Sequence, residues 1–110
     1  MAFKPFKTLL FGFAFSPSLK ANVYEATRLA NYFEAALILL HVGEKTKEKE
    51  NQFQQLLKEC PIKPNEIQTY WEEGNPITTL ANACVKYNID LLLLGALKRE
   101  NVVKYYLGSI

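Results

Sequence analysis

Three stretches of this chain are almost purely apolar, and they leave few ways for it to fold. They are "KTLLFGFAF" at 7–15, "AALILLHV" at 35–42 and "IDLLLLGA" at 89–96. Each is short, is bounded by Pro, Ser, Gly or polar residues, and shows no helical spacing, so each reads as a strand buried on both faces. A sheet buried on both faces needs a layer of helices above it and another below.

The segments between the runs supply those helices. Leu19, Val23, Ala26, Ala30 and Phe33 recur at helical spacing, with Ser16 or Ser18 able to cap the start and Pro17 tolerated in the first turn. A second helix is expected over 46–59, with Phe53, Leu56, Leu57 and Cys60 on one face, before Pro61 and Pro64 break the chain. Gly74-Asn75-Pro76 opens a third, with Asn75 as cap and Ile77, Leu80, Ala81, Cys84 and Val85 as its stripe, ending near Asn88. One further strand, "EIQTYWEEG" at 66–74, alternates Ile67, Thr69 and Trp71 with Gln68, Tyr70 and Glu72. That alternation and its polar ends suit the periphery of a sheet.

The order is therefore β-α-β-α-β-α-β: an α/β chain with an open parallel sheet, a Rossmann-like or flavodoxin-like three-layer sandwich with right-handed crossovers. In such sheets ligands sit at the carboxyl ends of the strands, near the point where strand order reverses. The candidate positions are then 12–16, 42–44, 73–76 and 95–98.

Composition narrows the function. At 110 residues there is room for one small domain. Thirteen Lys and Arg against eleven Asp and Glu leave +2, too little and too dispersed for a nucleic-acid partner; "EKTKEKE" at 44–50 reads as a solvated face. The lone His41 and the separated Cys60 and Cys84 form no metal cluster, and Cys84 falls at an apolar helical position, as a buried thiol would. Lys4, Lys7 and "TLLFGFAF" imitate a secretory signal, but Pro17 follows the would-be cleavage point and processing would delete the first strand. No apolar run approaches the ~20 residues of a membrane span, so the expectation is a reducing, cytoplasmic setting without a membrane partner.

Nor does the sequence hold a catalytic set. There is no carboxylate pair at the strand ends, no Ser-His-Asp arrangement and no Gly-Lys-Ser of a phosphate loop. Glu44 and Glu73 fall near strand ends but read as solvated loop residues, and the expectation is that the chain is not an enzyme. A receiver domain would need acidic residues where the first strand ends, and the chain has Gly12, Phe13 and Ala14 there.

With the elements in place, the chain resembles the universal stress protein family along nearly its whole length. The likeness rests on "KTLLFGFAFS", on "LILLHV", on "GNP" before the third helix and on the last stretch, "GALKRENVVKYYLGSI". Nucleotide-binding members carry Gly, two residues, Gly, nine residues, then Gly-Ser or Gly-Thr. Gly95, two residues, Lys98, nine residues and Gly108-Ser109 reproduce that spacing. The resemblance implies strand order 3-2-1-4-5 and an adenine-nucleotide site built at Gly12, Ala14, Ser16, Val42, Gly95, Lys98, Gly108 and Ser109.

It also implies that this site is degenerate. Binding members typically end the first strand on an aspartate, and Ala14 stands in its place. A carboxylate can accept from a ribose or help hold a metal beside phosphates, and a methyl group can do neither. Lys98 replaces a glycine whose backbone would approach phosphate, although it supplies a cation. Asp90, the only aspartate, begins the fourth strand at the opposite end of the sheet. The expectation is no bound cofactor; the alternative is ATP or AMP, with or without magnesium, held through Lys98 and Ser109. The family's last helix starts at Gly-Ser and leads to a fifth strand, so the chain reads as a domain incomplete at its C-terminus, with the fifth strand absent. The fourth strand would then be an edge for a homodimer or a second stress-protein domain.

Overall fold

The computed structural model describes residues 6–64 and 66–94. They form β1 (Thr8–Phe13), α1 (Leu19–Phe33), β2 (Ala36–Val42), α2 (Lys47–Glu59), β3 (Ile67–Glu72), α3 (Pro76–Lys86) and β4 (Leu91–Leu94). The sheet is parallel throughout, in the order β3-β2-β1-β4. This is the expected open α/β sheet, and the four strands follow the order 3-2-1-4 that the resemblance implied. The expected fifth-strand position and the loop after Leu94 lie outside the described residues.

β1 is central, and its alternation sends side chains to two cores. Leu9, Phe11 and Phe13 join Val23, Ala26 and Ala30 of α1, Leu37 and Leu39 of β2, and Phe53 and Leu56 of α2. Leu10 faces the other way, with Ile38, Leu40 and Ala83 of α3. Full burial of each Leu, Val or Phe contributes about 1.5–3 kcal/mol, so among the described residues the face carrying α1 and α2 holds most of the apolar driving force.

The helix ends follow local rules. Thr46 caps α2 by accepting from the Lys49 amide at 3.2 Å, and Glu48 and Glu50 sit in its first turn, where the dipole favours acids. Asn75 caps α3 by accepting from the Thr78 amide at 3.1 Å, with Pro76 in the first position as expected. α1 differs from expectation. Pro17 and Ser18 form a turn before the helix, and Ser18, at the cap position, makes no side-chain capping bond. Ser16 instead bends the chain, its amide donating to the Ala14 carbonyl at 2.9 Å.

The stripe of α3 also needs correction. Ile77 and Val85 are each 80% exposed, while Leu80, Ala83, Cys84 and Tyr87 face the sheet. Two apolar stripes overlap on this helix, and the inward one places Ala83, which lets the backbone approach, beside Tyr87. The Tyr87 ring stacks on Tyr70 of β3 at 5.0 Å and 4°.

Candidate functional site at the carboxyl ends of the strands

The carboxyl ends of β1 and β2 and the start of α3 enclose a half-open cavity of about 180 Å³. It is lined by Gly12, Phe13, Ala14, Leu40, Val42, Pro76, Leu80 and Leu94. Three residues named from the sequence, Gly12, Ala14 and Val42, therefore meet in one place. Ser16 is not in the lining; it lies in the bend beyond. Gly95, Lys98, Gly108 and Ser109 fall outside the described residues.

Each wall follows from the strand register. Gly12 lies between Leu40 of β2 and Leu94 of β4. A Cβ on Gly12 would lie 2.7 Å from Leu80 Cδ2 and 3.4 Å from Leu94 Cδ2, so the glycine makes the room that Leu80 uses. Gly74, at φ +136°, turns the chain from β3 into α3 with a backbone that other residues resist. None of the eight lining side chains bears a nitrogen or oxygen.

The nearby helix start offers little to an anion. Pro76 has no N–H and the Thr78 amide is taken by Asn75, so two of the first three residues of α3 have no amide to give. Glu44 and Glu73 are exposed in their loops, as read from the sequence. No group of three or more His, Cys, Asp or Glu suited to a metal occurs among the described residues, and no helix among them is long and apolar enough to cross a membrane.

The opposite face of the same sheet end holds an aromatic cluster that the sequence reading missed. Phe13 stacks on Phe53 at 4.3 Å and 6°, and Phe15 on Trp71 at 5.8 Å and 26°. The buried His41, read from sequence only as a strand-end residue, packs edge-on to Phe15 and Trp71. Its Nδ1–H donates to the Phe13 carbonyl at 2.8 Å, joining the ends of β1 and β2. The alternation of Phe11, Phe13 and Phe15 was the available signal.

The two cysteines differ. Cys60 is buried, touching Thr27 Oγ1 at 3.3 Å and donating to the Ile62 carbonyl at 3.2 Å. Cys84 is half-buried, and desolvation pushes its thiol pKa above the usual value. At the far end of the sheet, the Asp90 carboxylate accepts from the Lys7 and Thr8 amides at 2.8 and 3.0 Å, as its place at the amino end of β4 required.

The arrangement is that of a flavodoxin-like α/β domain with a pocket at the strand ends, and solved structures identify its variant. Protein Rv1636 from Mycobacterium tuberculosis H37Rv superposes with TM-score 0.65 at 20% identity, over 87% of this chain and 75% of that one. A universal stress protein in complex with cAMP gives 0.65 at 20%, over 80% and 70%. The universal stress protein UspA from Lactobacillus plantarum gives 0.60 at 18%, over 84% and 80%. The chain has the fold of the universal stress proteins. No protein-family profile and no curated protein matches the sequence.

Proposed function

We propose that this is a universal stress protein domain whose adenine-nucleotide site is degenerate, acting in stress response through association or regulation and not by catalysis. The observation that carries the reading is Ala14, in the wall of an apolar cavity where the resemblance puts an aspartate. Nothing among the lining side chains would bind a ribose or hold a magnesium ion. Association would use β4, which among the described residues pairs only with β1 and presents Leu92 and Leu94, 38% and 49% exposed, on one face. The proposed occupant of that edge is a second copy or a second stress-protein domain, in the cytoplasm.

Titration calorimetry with ATP and magnesium tests the site. The expected result is no heat of binding at micromolar concentrations, and Ala14→Asp is expected to gain affinity. Micromolar affinity of the unaltered chain would overturn the reading. Sedimentation tests the association, and a strictly monomeric mass at micromolar protein would overturn that part. The cAMP complex of one structural neighbour favours a second reading, an adenine-nucleotide sensor in which Lys98 and Ser109 replace the lost carboxylate.

A further inference from the structure

We infer that the cavity at the ends of β1 and β2 binds a small uncharged ring compound, one aromatic ring or two fused, in place of a nucleotide. The inference rests on the degenerate-site reading and gives that site a ligand class. The size fits: an apolar cavity of about 150 Å³ is enough to take up benzene, and this one measures about 180 Å³. The lining fits as well. The side chains of Leu40, Val42, Pro76, Leu80 and Leu94 offer contact and no hydrogen-bond partner, so a ligand that carries phosphates or hydroxyls loses hydration that no lining side chain replaces.

Two features make the cavity a receptor and not a packing gap. Leu94 is 49% exposed, so a ligand seated there removes apolar surface from water. Gly12 leaves no Cβ above the central strand, and Leu80 Cδ2 and Cδ1 would lie 2.7 and 3.1 Å from that position. The space next to Gly12 is thus bounded by the ends of two flexible side chains, Leu80 and, at 3.4 Å, Leu94, and Leu80 can turn aside for a flat ring. A second cavity of this size, beside β4 on the opposite face, shares Leu94 but is lined partly by Asn22 and Glu25 and lacks this chemistry.

The test is a methyl NMR titration with indole, run beside one with magnesium-ATP. Saturable shifts are expected at Ala14, Val42 and Leu80 and not at Ala26 or Leu29 of the opposite cavity, with a dissociation constant on the order of 10⁻⁴–10⁻³ M for a ligand this small. Gly12→Ala, which pushes Leu80 into the space, is expected to weaken indole at least tenfold. Leu80→Ala, which opens it, is expected to keep binding. Indole-3-carboxylate, the same ring with a charge, is expected to bind at least tenfold more weakly than indole. Absence of saturation, shifts at Ala26 and Leu29, equal binding of the carboxylate, or indifference to Gly12→Ala would each overturn the inference. If neither indole nor ATP binds, the inference fails and the degenerate-site reading stands. Micromolar ATP binding overturns that reading and the inference with it.

Discussion

Replacing Phe53 with alanine removes the keystone of the face that carries α1 and α2. The ring is 1% exposed, lies flat on Phe13 at 4.3 Å, and meets Phe15 and Trp71 edge-on at 6.3 and 6.4 Å. Leu56 is the other buried residue of α2, so truncation leaves that helix Leu56 and the half-buried Leu57 to hold it on the core. Phe-to-Ala changes in cores cost about 3–5 kcal/mol, of which the lost ring pairs account for about 1 kcal/mol. Domains of this size are stable by about 5–15 kcal/mol, so the change removes a large share. With a urea slope of about 2 kcal/mol per molar, a loss of about 4 kcal/mol lowers the unfolding midpoint by about 2 M. Phe53→Leu keeps most of the volume and costs less than about 1.5 kcal/mol, a fall below about 0.8 M. Trp71, the chain's one tryptophan, reports both transitions by fluorescence, with far-ultraviolet circular dichroism as the second probe. A midpoint shift below about 0.5 M for Phe53→Ala would show that the aromatic cluster does not hold α2 on the sheet.

On α3, Ile77→Ala is expected to change stability by less than about 0.5 kcal/mol, because the side chain is mostly in water, whereas Ala83→Leu overpacks the helix–sheet contact and costs about 1–3 kcal/mol. Chemical denaturation of both variants checks this, and the reverse order would restore the stripe read from sequence. Asp90→Ala leaves the Lys7 and Thr8 amides without their acceptor; at this exposed position about 1–2 kcal/mol is expected, with hydrogen exchange at Thr8 speeding before exchange at Leu39. Cys84 should react slowly with a thiol-selective reagent at neutral pH, its rate rising only above the usual thiol range. Its folded pKa is raised, so the linked stability is present below the unfolded pKa and declines as pH climbs through the folded one. Cys84→Ser should flatten that alkaline decline.

β1 and β2 were legible because burial on both faces writes itself as unbroken apolar runs, and Asn75-Pro76 and the Gly43 break marked their neighbours in plain local chemistry. β4, read from the same kind of run as buried on both faces, instead leaves Leu92 and Leu94 38% and 49% exposed. α3 misled because Ile77, Leu80, Ala81, Cys84 and Val85 satisfy helical spacing as well as Leu80, Ala83, Cys84 and Tyr87 do. Only the sheet surface beneath, with Tyr70 waiting for a ring, decides between them. Ser16 and Ser18 both suit a cap by residue type, yet Pro17 between them is spent on a turn, and the helix starts without a side-chain cap. At the site, Gly12, Ala14 and Val42 could be named from strand ends alone. Leu80 and Pro76 could not be assigned to the wall, because their part depends on how closely α3 approaches β1.

The central strand has a consequence for how the chain is made. β1 takes one neighbour from residues 36–41 and the other from residues 91–94, and the Asp90 clamp closes a separation of 83 residues. During synthesis from the N-terminus, one side of β1 can pair early with β2, while its other side waits for the whole of α2, β3 and α3 to emerge. At about 5–20 residues per second that wait is roughly 4–16 s, longer than a helix or hairpin needs to form. A strand of sequence "TLLFGF" then keeps one open edge, where another nascent chain on a polysome could pair, until β4 arrives to cover it.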